Sequence, residues 1–218
     1  MSGVAHARNL LGPLLHRWYR FRVVGIHRLP RRGPVLLVAS QRSILDPTII
    51  ATSLTRPVRV VIEDAEGIPR WGGLSSALGR IDLPPESSPW PALQRGVEAL
   101  DQGGAVGCFI HSEVSPPRLQ PEAAIAGYLR CRTEATVIPI SIFGSHGPRP
   151  TDPPKPRSTI DVVVGDPMQL PQVDDPRVRS SVVMVAEAIR QSLVDAEQIA
   201  SARVGIADLG DQTGSNLT

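Results

Sequence analysis

Residues 34–50 read "PVLLVASQRSILDPTII", and the order of their parts decides the fold. Val35 to Ala39 form an unbroken apolar run, as expected of a strand covered on both faces. Strands of that kind belong to parallel sheets with helices on either side. A short polar turn, "SQRS", follows, and then "ILDPTIIATSL" (44–54) has a helical pattern with Asp46-Pro47 near its start. Buried strand, turn and helix together make the unit from which α/β domains are built.

The flanking sequence repeats that alternation. Upstream, "FRVVGI" (21–26) is a strand, joined to the first by a turn containing Pro30 and Gly33-Pro34. Downstream come the strand "VRVVIED" (58–64), a mixed helix and loop region "GIPRWGGLSSALG" (67–79) and the short strand "RIDL" (80–83). "SPWPALQRGVEALDQG" (88–103) is a helix that Gly103 ends, and "AVGCFIH" (105–111) is a strand. A helix "PEAAIAGYLRCRTE" (121–134), a strand "TVIPISIFG" (136–144), a Pro-rich loop (144–158), a strand "TIDVVVGDP" (159–167) and a helix over about 177–202 complete the series. The expectation is a single layered α/β domain over 21–205, its mostly parallel sheet flanked by helices, with a disordered tail at 206–218.

The 218 residues suffice for one sizeable core, and 41% apolar with 20% charged side chains is ordinary for a globular protein. No run reaches the roughly 18–20 apolar residues that cross a bilayer. The two cysteines give neither a disulfide framework nor a metal spacing, which fits a reducing cytoplasm. Cys108 and Cys131 suit buried strand and helix positions better than nucleophiles. No metal site, bound cofactor, glycine-rich phosphate loop or nucleotide fingerprint is expected.

Charge is unevenly spread. Residues 1–32 carry seven arginines and no acidic residue, whereas the rest holds 16 basic against 21 acidic side chains. Within that end, "ARNLLGPLLHRWYRF" (7–21) sets Leu10, Leu11, Leu14, Leu15 and Trp18 at helical spacing, with Arg8, Arg17 and Arg20 for the polar side. Residues 1–20 therefore have two readings. One is an interfacial helix on an anionic membrane surface; the other is a helix packed on its own domain. Nucleic acid is a poor fit, because no aromatic-basic interleaving occurs beyond "RWYRFR".

Four stretches, in order, resemble the glycerol-phosphate and lysophospholipid (1-acylglycerol-3-phosphate) acyltransferase family: "VVGIHRLPRRGPVLLVASQRSILDPTII", "IPRWGGLSSALGRIDL", "GGAVGCFIHSEVS" and "TVIPISIFG". The resemblance runs from about Phe21 to Pro167. It implies an acyltransferase-like fold and acyl transfer from an acyl-CoA or acyl-carrier thioester to a lysophospholipid or glycerol-phosphate hydroxyl. It further implies peripheral placement at the cytoplasmic face of the plasma membrane.

In that family the His of an N-H-x-S-x-x-D motif takes the hydroxyl proton, and the Asp five residues on orients its ring and stabilises the charge it gains. Here Gln41 stands at the His position. Its amide donates and accepts hydrogen bonds but is no base near neutral pH. Arg42, Ser43 and Asp46 remain in place. In the second motif Gly79 is kept, while the expected Arg falls near Pro85; Arg80 replaces it only if the strand register differs. The third motif, usually F-P-E-G-T-R-S, keeps Phe109 and then reads Ile110, His111, Ser112, Glu113, Val114, Ser115.

The resemblance therefore implies substrate-binding roles for Arg42, Ser43, Gly79, Arg80, Ser112 and Glu113, with the acceptor phosphate held by the second-motif Arg and the polar groups of the third, in a site without its base. The expected outcome is an inactive or severely weakened protein. Two alternatives stay open: an active enzyme in which His111 substitutes as base, with Glu113 or Asp46 as orienter, and an inactive subunit that binds lipid or docks on an active relative. Asp46 also has a plain reading as a helix cap, and His111 as a solvated loop residue. "HSE" is not a nucleophilic triad, since neighbours on a strand point to opposite faces. His146, in the Pro-rich loop, is expected to be solvated.

Overall fold

The computed structural model describes residues 12–13, 15–63, 79–83, 88–110, 121–149 and 151–205. Along them run β1 (Arg20–Val24), β2 (Val35–Ala39), α1 (Asp46–Ser53), β3 (Val58–Glu63), β4 (Ile81–Leu83), α2 (Trp90–Asp101), β5 (Ala105–Phe109), α3 (Pro121–Arg132), β6 (Thr136–Phe143), β7 (Thr159–Val164) and α4 (Arg179–Val204). A three-residue 3₁₀ turn, Ile26–Arg28, separates β1 from β2.

The strands form one seven-stranded sheet in the order β1-β7-β6-β2-β5-β3-β4. β6, β2, β5, β3 and β4 are mutually parallel, so their C-terminal ends share one edge. β7 joins β6 antiparallel and carries β1 parallel to itself, which makes the expected sheet "mostly parallel" rather than wholly so.

β2 is the centre of the molecule, and all five of its side chains are fully buried. Its alternate residues feed two layers, as the period of two requires. Leu36 and Val38 join Val106, Cys108 and Val137 against α2, α3 and α4, through Leu100, Leu129 and Ile189 among others. Val35, Leu37 and Ala39 join Phe109, Ile138 and Ile140 against Ile49, Ile50 and Ala51 of α1 and against Tyr19. An apolar run without alternation is thus explained by helices on both faces.

Two helices cross closely at Gly127. A Cβ there would stand 2.6 Å from the Val182 carbonyl oxygen and 2.8 Å from Ala186 Cβ, both belonging to α4. The carbonyl is backbone and cannot swing aside, so overpacking costs about 1–3 kcal/mol. The better helix propensity of alanine returns about 1 kcal/mol. Gly127→Ala is therefore expected to lower stability by about 1 kcal/mol in urea denaturation; an unchanged midpoint would show that α3 and α4 do not meet this tightly.

At the basic end, residues 12–13 and 15–18 are helical. Leu15 packs toward the core and Tyr19 is buried, while Trp18 remains 54% exposed beside exposed Arg17 and Arg20. Part of the stripe thus faces the domain, and Trp18 faces out. The arginines divide as well. Arg22 pairs with Asp161 across the β1–β7 register, and Arg28 with Asp166 at 2.6 Å. Among the described residues, Arg17, Arg20, Arg31 and Arg32 are exposed and make no ion pair. No helix there is long and apolar enough to cross a membrane.

Candidate functional site

The turn after β2 carries the first motif, and its geometry is set by Asp46. This residue is the first of α1 and fully buried. Its Oδ2 accepts the backbone N–H groups of Arg42, at 2.7 Å, and Ser43, at 2.8 Å. A helix-capping carboxylate would instead accept from the helix's own first turn, and no side-chain cap bond is made to α1. The capping expectation is therefore corrected: Asp46 pins the preceding turn. The reason is that the Asp46 N–H donates to the Ser43 carbonyl at 3.2 Å, which folds residues 42 and 43 back over the carboxylate.

The other oxygen, Oδ1, is buried and has no hydrogen-bond partner. Gln41, at the expected base position, sends it no bond. Burial pushes the Asp46 carboxyl above the usual carboxylate range. The nearby Ser145 hydroxyl, the two backbone N–H groups and the charge of His146 pull it partly back. The Ser145 hydroxyl faces the carboxylate, yet in the conformation here neither it nor Oδ1 has a partner.

Ser43 is buried, and both capacities of its hydroxyl are in use. Oγ donates to the Ser145 carbonyl at 2.9 Å and accepts the Leu45 N–H at 3.1 Å. It staples the 40–46 turn to the end of β6. Arg42 is exposed and reaches α4, with Nη2 3.4 Å from Glu197 Oε2.

Gln41 is half-buried and lines a small cleft of about 40 Å³ with Ile62, Leu83, Phe109, Glu122 and Ile125, on the β3–β5 side of the turn. That volume is on the scale of one water. The segments that follow β3, β4 and β5 lie outside the described residues.

Gln41, Arg42, Ser43 and Asp46 are thus brought together at the C-terminal edge of the parallel strands. The second-motif residues lie at β4, toward the far edge of the sheet. Gly79 takes a left-handed φ of 75° just before the strand, a conformation suited to glycine. The Arg80 guanidinium is nearly buried and ion-paired with Asp82. His111, Ser112 and Glu113 lie outside the described residues. Cys108 is wholly buried in β5, its thiol pushed up to about 12, which leaves it inert as a nucleophile. Among the described residues no three His, Cys, Asp or Glu side chains gather closely enough to hold a metal ion.

Sequence reasoning missed Ser145 and His146 as neighbours of the motif. The parallel pairing of β2 with β6 brings their C-terminal loops to one edge, where ligand crevices of such sheets form. "GSHG" directly after "TVIPISIF" was the available signal.

No protein-family model matches the sequence, and no curated protein matches it. Among solved structures the chain is similar to PlsC, the 1-acyl-sn-glycerophosphate (LPA) acyltransferase of Thermotoga maritima, with a TM-score of 0.60 at 17% identity over 92% of this chain and 79% of that one. At that identity the likeness is one of architecture, and this chain has the acyltransferase-like α/β fold of that enzyme.

Proposed function

We propose that the protein is a severely weakened glycerolipid acyltransferase, handling an acyl-CoA or acyl-carrier thioester and a lysophospholipid-like hydroxyl acceptor. One observation carries the reading. A fully buried carboxylate is held by two backbone N–H groups with its second oxygen unpartnered, beside a turn where Gln41 stands in place of a base. That is the frame of a base-orienting site without the base. A general base contributes about 10²–10⁴ in rate, so its loss leaves slow transfer by an otherwise assembled turn. An acyl-transfer assay that compares the native protein with Gln41→His tests it. Equal rates would overturn the reading.

The proposal extends to an anionic membrane surface. Exposed Trp18 with Arg17 and Arg20 forms an aromatic and cationic patch of the kind that seats in lipid headgroups. Each arginine near such a surface contributes about 1 kcal/mol. The double variant Arg17→Gln, Arg20→Gln is therefore expected to bind phosphatidylserine-containing vesicles about 10- to 30-fold more weakly in co-sedimentation. Native binding should also fall with added salt. Binding indifferent to both would remove the electrostatic contact.

A further inference from the structure

The loop after β6 holds an imidazole beside the motif. The Ser43 Oγ bond to the Ser145 carbonyl, 2.9 Å long, ties that loop to the 40–46 turn, and His146 is the next residue. His146 is exposed, whereas Asp46 and Ser145 are fully buried. His146 lies close enough for its charge to act on the Asp46 carboxylate. Nδ1 is 2.6 Å from the Gly147 carbonyl oxygen. A carbonyl only accepts, so Nδ1 carries the proton and donates. In the neutral ring Nε2 is then the bare, basic nitrogen. A base needs these properties: a fixed tautomer, an open face and a nearby negative charge.

We propose that His146 is the base of the weakened transfer, standing in from the β6 loop for the imidazole missing at position 41. The inference rests on the function proposed above. In the step, the acceptor hydroxyl oxygen attacks the thioester carbonyl carbon while His146 Nε2 takes the hydroxyl proton. The tetrahedral adduct collapses with cleavage of its C–S bond, and the leaving thiolate recovers that proton from the imidazolium. Ester and free thiol result, and His146 returns to its neutral form. Asp46 acts through space as a positioning charge near the ring. The Gly147 carbonyl, not Asp46, fixes the tautomer.

The test uses the full chain with a long-chain acyl-CoA and lysophosphatidic acid in mixed vesicles. His146→Ala and His146→Gln are each expected to lose about 10²-fold of the native rate, with partial recovery of the Ala variant by added imidazole. Exposure of the ring predicts unchanged urea midpoints for both. A native rate that survives His146→Ala would overturn the proposal and leave the function reading intact. So would native protein with no turnover beside an active Gln41→His variant. If neither native protein nor Gln41→His turns over, the function reading fails and the proposal fails with it. Nitrogen-15 spectra of the imidazole give a readout independent of turnover. Protonated Nδ1 and bare Nε2 are expected, and a dominant Nε2–H tautomer would overturn the assignment.

Discussion

A Gln41→His variant is expected to transfer acyl groups up to about 10² times faster than the native protein, the 10²–10⁴ of a well-placed base less the roughly 10² that His146 already supplies. The gain follows from what the turn already contains. Asp46 is rigidly held through Oδ2, and Oδ1 lacks only a donor. An imidazole at position 41 supplies both a basic nitrogen and an N–H that the orphan oxygen can receive. Its second effect should be structural, because satisfying a buried acceptor recovers about 1–3 kcal/mol of desolvation. Adding Asp46→Asn to Gln41→His should remove most of the rate gain, since a neutral amide stabilises an imidazolium poorly. Gln41→Ala, by contrast, should leave the native rate where it is, a glutamine amide being no base. A flat response to Gln41→His would overturn the reading that the missing base at 41 is what weakens transfer, and would turn attention to the altered second and third motifs. There Arg80 is already committed to Asp82, and Pro85 stands where an Arg is expected.

The layered fold could be read from local sequence because its strongest signals are local. The Val35–Ala39 run, buried on both faces, announced a central parallel strand, and the Asp46-Pro47 helix start lies where it was expected. The reversed β1–β7 pair was not legible, since nothing in "TIDVVVGDP" says that it returns antiparallel to β6. The site divides the same way. Gln41, Arg42, Ser43 and Asp46 sit within six residues, so spacing alone proposes them. The contact between Ser43 and Ser145 spans 102 positions and exists only through strand pairing. His146 therefore looked like one more residue of a Pro-rich loop. The cap reading of Asp46 failed for a different reason: an acid before proline at a helix start has the composition of a cap, and only geometry shows its carboxylate turned toward residues 42 and 43.

Asp46 also makes the clearest prediction about stability. Asp46→Ala strips two backbone N–H groups of their acceptor and is expected to cost about 2 kcal/mol, each such loss being about 1–3 kcal/mol less the relief of an unburied charge. Asp46→Asn keeps an oxygen for those two donors and turns a neutral NH₂ toward the Ser145 hydroxyl. It should raise stability at neutral pH by about 1 kcal/mol. The pH dependence follows from burial, which raises the folded-state value of this carboxyl. The folded protein thus binds the proton more tightly than the unfolded chain. Its stability contribution from Asp46 is fully present below the unfolded carboxyl value near ~3.9 and is lost as pH rises through the raised folded value. The Asn variant lacks this dependence, so its advantage should be largest above that window and should vanish on acidification. Urea midpoints of native and Asn proteins between about pH 3 and pH 8 measure the difference. An Asn variant less stable at every pH would mean that the ionised carboxylate is stabilising and that burial does not dominate. A carboxylate that lowers stability where an amide would fit is held for its charge, and charge is what an imidazolium beside it, from His146 or from a histidine placed at 41, requires.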